Sequence, residues 1–272
     1  MNWEPTSDSR TVASCISRLR AAFFTDFLKI TKLDLSSCLW GATVKNLYQI
    51  AIASSLLLAS THLAGENLST TNTGWQSLFD GYSTDGWRRY GSNKPIKGWQ
   101  VIDGELVRTG KAGDLITEQQ FSDFELQLEW KVESGGNSGI FFRADESERY
   151  IFLTAPEMQI LDDAKHRDGK SPLTSAGANY ALHPAPRGVV NPAGEWNHAR
   201  LRVIGNQVTH WLNHQQIVSY ELGSEDWQQR VAKSKFAKWP KYGSLSSGHI
   251  GLQDHGDRVA FRHIQIRDLA DD

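Results

Sequence analysis

An all-β fold, an antiparallel β-sandwich or jelly roll, is what this chain predicts, on three observations. The 272 residues include 10 Trp and 23 Gly but only 2 Met, a composition that favours aromatic-rich, turn-rich strands over a helical bundle. From Gly74 onward, short apolar runs recur between Gly, Asn and Asp with no helical period of any length. One run, 124–132, alternates cleanly: Phe124, Leu126, Leu128, Trp130 and Val132 fall on one face, with polar residues between them. That is the pattern of a strand buried on one side and wet on the other.

The remaining elements follow in order. Residues 99–102 and 105–107 form a hairpin across Asp103-Gly104, a pair suited to positive φ. Strands are expected at 138–143, 150–153 and 157–162. In the last of these, Met158 and Ile160 point one way, Glu157 and Gln159 the other. A three-strand meander spans 197–203, 208–212 and 216–220, turning at Gly205-Asn206 and Asn213-His214, and 248–253 and 259–267 close the chain. Two stretches lack a regular pattern. One, 163–195, carries Pro172, Pro184, Pro186 and Pro192, and loops of that length are usually functional. The other, 224–245, reads as a short surface helix followed by an aromatic-tipped loop with Lys235 and Trp239.

The domain plan separates the first part of the chain from the rest. Lys45 precedes an apolar run from Ile50 to Ala59 and a small-residue end at Ala64, the make-up of a secretory signal peptide. The apolar core is too short to span a bilayer, which takes about 20 residues. Val44 stands where the initiating Met is expected, so 44–64 is read as the signal peptide and 1–43 as upstream sequence; a genuine amphipathic extension is the alternative. Residues 65–73 are then a linker and 74–272 the folded domain, exported to the periplasm or beyond the cell of a bacterium. Cys15 and Cys38 both precede the domain, which leaves it without a disulfide framework or a thiolate metal site. The formal net charge of -2, without a Lys/Arg run, gives no footprint for nucleic acid.

Polar side chains gather in four segments. Gly135 to Arg143 offers Asn137 and Arg143 among glycines that admit close approach of a ligand. In 157–162, Glu157 and Gln159 share a face beside Asp162, and a carboxylate set between Met158 and Ile160 is costly unless it meets a cleft. The long loop carries His166, Lys170, Asn179, Tyr180 and His183, and near the end Gln253 and His255 face away from Ile250 and Leu252. Structural roles suit several of these equally: a turn for Asn137, a surface charge for Arg143, backbone partners for Gln253 and His255. His210, a further candidate for a sugar hydroxyl, suits a structural role better. No metal motif, phosphate loop, dinucleotide fingerprint or Gly-x-Ser-x-Gly elbow occurs. No cofactor is required by the sequence, and the spacing does not support a divalent metal on His255, a carboxylate and a loop histidine.

These segments carry a resemblance. Gly74-Trp75-Gln76-Ser77-Leu78-Phe79-Asp80-Gly81, Asn137-Ser138-Gly139-Ile140-Phe141, the 157–162 strand, Gly194-Glu195-Trp196-Asn197, Gly251 to Gly256 and the closing Phe261 to Ile266 resemble, in order, the 3-keto-disaccharide hydrolase domain family. The resemblance implies a concanavalin-like sandwich of the lectin/glucanase type acting on glycosides already oxidised at C3, the ketone being supplied by a separate nicotinamide-dependent oxidoreductase. A C3 ketone acidifies the C2 proton; a base removes it, the enolate expels the C1 substituent, and water adds back. On this resemblance His255 or Glu157 is the base and Asp162 a supporting carboxylate, while Asn137, Arg143, Gln159 and Gln253 hold hydroxyls and the enolate. A non-catalytic lectin-like module on the same fold is the competing expectation. A retaining glucanase is less suited: Glu157-x-Gln159-x-x-Asp162 places an amide where that pattern has its middle carboxylate, and its last side chain is one methylene short.

Overall fold

The computed structural model describes residues 74–269; the expectations for 1–43, 44–64 and 65–73 fall outside the described residues. Thirteen strands lie among them: β1 (Trp75–Ser77), β2 (Trp87–Arg89), β3 (Trp99–Ile102), β4 (Glu105–Arg108), β5 (Leu115–Phe121), β6 (Phe124–Val132), β7 (Asn137–Ala144), β8 (Glu157–Leu161), β9 (Asn197–Ile204), β10 (Gln207–Leu212), β11 (Gln215–Glu221), β12 (Gly248–Leu252) and β13 (Val259–Asp268). They build an eight-stranded sheet, β11-β10-β9-β6-β13-β4-β3 with β1 on β13, and a five-stranded sheet, β2-β5-β12-β7-β8. All these pairings are antiparallel, so the described residues form an all-β sandwich.

Alternation explains the layers. Phe124, Leu126, Leu128 and Trp130 of the large sheet meet Ile140, Phe142, Met158 and Ile160 of the small one in a single core. The small sheet's opposite face is also covered. There Ile116, Phe141 and Ala144 pack under Ile151 and Ala155, which is why every residue of β7 and β8 is buried. The hairpin turns follow backbone chemistry: Asp103 and Gly104 have φ of 52° and 79°, Asn213 and His214 of 48° and 67°, the mirror-image turns that match strand twist.

Three local departures from the sequence expectation have physical causes. Residues 150–153 do not form a strand. Leu153 N donates to Tyr150 O (3.1 Å) and Thr154 N to Ile151 O (3.2 Å), closing a 3-10 turn at Ile151–Leu153. β5 escapes a pattern search because its first three residues are all buried and its next three all exposed. The helix α1 (Glu225–Lys233) forms as expected, with Ser224 accepting from Trp227 N (3.2 Å) at its start. Its aromatic neighbours turn inward, however. Trp227 and Phe236 are buried, and Tyr242 stacks on both, with ring centroids 5.8 Å and 3.9 Å away.

The long loop is ordered by the sheet edge. Gln159 N donates to Ala178 O (3.0 Å), Gly177 N to Gln159 O (2.7 Å) and Tyr180 N to Glu157 O (3.0 Å). Residues 177–180 therefore run along β8 and satisfy an edge that would otherwise be open.

Candidate active site

Glu157 opens β8, pairing across from Phe141 of β7, and its side chain lies over Gly139. A Cβ at Gly139 would collide with Glu157 Oε1 and sit 2.8 Å from its Cδ. The glycine thus makes the space that the carboxyl occupies. Around it lies a cleft of about 250 Å³, lined by Asp114, Asn137, Tyr150, Phe152, Glu157, Gln159, Tyr180, Lys235, Gln253, Asp254 and His255. The volume suits one sugar ring with the rest of a substrate at the mouth.

The floor is polar and partly unsatisfied. Gln159, in the amide orientation that satisfies both of its polar atoms, donates to Glu157 Oε1 (3.2 Å) and to Ser138 O (3.1 Å). Gln253 is anchored through its backbone N to Gly139 O (3.0 Å), and its side chain hydrogen-bonds Glu157. Asn137 Oδ1 and Gln253 Oε1 are buried without a partner. Buried acceptors are nearly always paired, so two such atoms lining one cleft mark where donors of a ligand belong.

Electrostatics divides the titratable groups. Burial pushes Glu157 up to about 8, against the pull of Lys235 and with a push from Asp114. Burial likewise raises Asp114 to about 6; the Asp254 N–H it accepts (2.8 Å) opposes this, and the Asp254 charge adds to it. Asp254 goes the other way. Burial would raise it, but Gly113 N (2.6 Å), Ala112 N (2.9 Å) and Arg108 Nε (2.6 Å) together hold it below the usual carboxylate range. Lys235, in the 3-10 turn Lys235–Lys238, is lowered by desolvation while Glu157 and Asp168 act to raise it. Its Nζ lies 4.3 Å from the centre of the Tyr180 ring, a cation–π contact that holds it at the cleft. At the mouth Tyr150 stacks on Phe152, 5.4 Å apart and 7° from parallel.

Five of the residues singled out in the sequence thus line one cleft: Glu157, Gln159, Asn137, Gln253 and, at its exposed rim, His255. Three are placed elsewhere. Asp162 accepts from Gly135 N (2.7 Å) and Ala164 N (3.1 Å), capping the turn past β8. Without Asp162, the carboxyl pair of a retaining glucanase is missing from this strand. Arg143 has φ of 49° and falls where Phe141 and Ala144 of β7 pair with Gly251 and His249 of β12, two residues opposing one. That bulge turns its guanidinium away, onto Ser122 O (2.8 Å), Asp123 (3.2 Å) and Gly205 O (2.8 Å). His210 is fully buried between Gly177 O (2.9 Å) and Tyr220 Oη (3.2 Å), and burial lowers it to about 4. It props the loop beside β8 from below as a neutral ring. Tyr180, among the polar side chains noted in the long loop, also lines it, and Asp114, Tyr150, Phe152, Lys235 and Asp254 complete the lining without having been assigned to it from the sequence; all lie on turns or loops, where no periodicity points. Among the described residues no three His, Cys, Asp or Glu side chains converge as a metal-ligand set, and no helix is long and apolar enough to cross a membrane.

A sugar-sized polar cleft with two raised carboxyls, on the outer face of a β-sandwich, defines a glycoside-cleaving enzyme. Residues 74–267 match the 3-keto-alpha-glucoside-1,2-lyase-like domain, and the chain belongs to that family. A 3-keto-disaccharide hydrolase of Bacteroides thetaiotaomicron is 34% identical, over 81% of this chain and 87% of the relative. Two crystal structures from Parabacteroides distasonis ATCC 8503, of proteins proposed to be glycosyl hydrolases, share the fold. The first is 34% identical with a TM-score of 0.69, covering 73% of this chain and 95% of its own. The second is 28% identical with a TM-score of 0.60, covering 72% and 99%.

Proposed function

We propose that the enzyme cleaves 3-keto-glycosides, 3-keto-disaccharides among them, by removing the C2 proton, eliminating the C1 substituent and adding water. The observation that carries this reading is Glu157: a buried carboxyl raised to about 8, inside a sugar-sized cleft, with a lysine beside it. A base for an acidified C–H works best with a pKa near the working pH, and burial tunes this one in that direction. An enolate forming at C3 carries negative charge, and Lys235 supplies the positive charge at the cleft that would stabilise it. Asn137 Oδ1 and Gln253 Oε1 accept from the remaining hydroxyls, while Gln159 and Gln253 orient the carboxylate. The exposed His255 serves substrate entry at the rim rather than the proton at C2.

The substrate must arrive already oxidised, so a nicotinamide-dependent sugar oxidoreductase acts before this enzyme. The leader-like composition of 44–64 supports export, with the reaction on a substrate pool in the periplasm or outside the cell. A lectin-like module on this fold would need the aromatic wall and the hydroxyl partners but no carboxyl raised toward neutrality. Purified protein mixed with a 3-keto-glycoside and with its unoxidised parent separates the two. Turnover of the keto sugar alone supports the enzyme; binding of the parent without turnover of either supports the lectin.

A further inference from the structure

The cleft holds three carboxyls, Glu157, Asp114 and Asp254, and one of them has no oxygen to offer a substrate. Asp254 Oδ1 takes Arg108 Nε (2.6 Å) and Gly256 N (3.1 Å), and its Oδ2 takes Ala112 N (2.9 Å) and Gly113 N (2.6 Å). It is a fixed anion that ties the segment before β5 to the segment after β12. Asp114 differs. Its Oδ1 accepts Asp254 N (2.8 Å), and its Oδ2 makes no hydrogen bond among the described residues. One oxygen is therefore positioned by the backbone and the other is left for the cleft.

The spacing suits two atoms of one sugar. In the order β5-β12-β7-β8, the Glu157 carboxyl lies over Gly139 of β7 and the Asp114 carboxyl is held at the end of β12. These strands are neighbours, which separates the two carboxyls by one to two strand spacings, ~5–10 Å. A ring between them presents its C2 hydrogen to one and its C1 oxygen to the other.

We propose that Asp114 is the acid that protonates the departing C1 oxygen and then the base that deprotonates the water replacing it. The assignment rests on the 3-keto-glycoside reading above. In the first half, ionised Glu157 takes the C2 proton and the C–H electrons form the enolate of the C3 ketone. The enolate collapses to an enone as the C1–O bond breaks, and the leaving oxygen takes the Asp114 proton. In the second half, water bonds to C1 as Asp114 carboxylate takes its proton, the electrons return to the C3 oxygen, and C2 recovers a proton from Glu157, which has traded its own with solvent while the leaving group departs and water enters. One water is consumed and both carboxyls are restored. Burial, with the Asp254 charge adding to it, keeps Asp114 protonated to higher pH than an ordinary aspartate. Glu157 lies higher still, so the productive form, Glu157 ionised and Asp114 protonated, is the minor of the two forms in which the pair shares one proton.

Asp114→Asn tests this, because the amide oxygen can still accept Asp254 N. Two 3-keto-glucosides are compared, one with an alkyl leaving group and one with 4-nitrophenol, which departs without a proton. A positioned general acid is worth about 10²–10⁴-fold. In a single turnover the variant should therefore slow release of the alkyl group by at least about 100-fold and release of 4-nitrophenolate by no more than a few-fold. It should still exchange C2–H of the alkyl substrate with deuterated water, whereas Glu157→Gln should not. Equal slowing of both substrates, or loss of exchange in Asp114→Asn, overturns the assignment. If the unaltered enzyme neither turns over nor exchanges either substrate, the 3-keto reading itself has failed, which is a separate result.

Discussion

Glu157 concentrates the cost and the use of this site in one side chain. A carboxyl at about 8 in the folded protein and near 4.5 when unfolded binds a proton in the native state that the unfolded chain releases. Stability is therefore full below about 4.5, falls as pH rises towards 8, and is constant above it, a loss on the order of a few kcal/mol. Glu157→Gln removes that titration. Thermal melts should show the variant gaining on the parent between pH 4.5 and 8 while turnover disappears; a gap that does not change over this range contradicts the buried-carboxyl account. Gly139 belongs to the same residue-scale design, since Gly139→Ala puts a methyl where Glu157 Oε1 lies. Activity should fall at least 100-fold, with an overpacking cost of about 1–3 kcal/mol visible in denaturant titration. Glu157 and Gln159 were legible in the sequence because Met158 and Ile160 fix which face they share. Arg143 was not, because one bulge residue at positive φ reverses the side chain's direction and no alternation rule carries across it.

At the scale of elements, irregular segments supply what the strands cannot. Residues 177–180 pair along β8 and bring Tyr180 to the cleft, while α1 and the turn after it bring Lys235. That turn is held by a run of stacked rings: Phe236 on Tyr242, Tyr242 on Trp227, Trp227 on Tyr220 and Tyr220 on His183. Two substitutions separate the charge from its support. Lys235→Met keeps an unbranched apolar stem but removes the cation, so kcat should drop about 10²–10³-fold with the melting temperature nearly unchanged. Trp227→Ala empties a buried site and should cost ~3–5 kcal/mol of stability, lowering turnover through loss of order at Lys235. Similar melting temperatures for the two variants would mean that the stacked rings do not hold the turn. The sequence located both irregular segments by their lack of period, and for the same reason could not say which of their side chains reach the site. Asp114 illustrates the limit: it precedes β5, whose burial follows blocks rather than alternation, and only the pairing of β5 with β12 sets it near Gln253.

Across the whole molecule, the sandwich separates stability from chemistry. The large sheet's inner face and the small sheet's inner face make one apolar core. The small sheet's outer face carries the cleft, walled by turns and loops from five parts of the chain. The antiparallel sandwich was legible from strand alternation and turn chemistry, because both are local; which sheet carries the cleft was not, because β7 and β8 are buried on both faces. Deuterium tracing tests the central claim, proton abstraction at C2, most directly. The enzyme would be run in deuterated water on a 3-keto-disaccharide, with the released keto sugar analysed at once beside an enzyme-free control. One deuterium is expected at C2 of each released sugar, introduced when C2 is reprotonated. Cleavage that leaves the original hydrogen at C2 would contradict that claim.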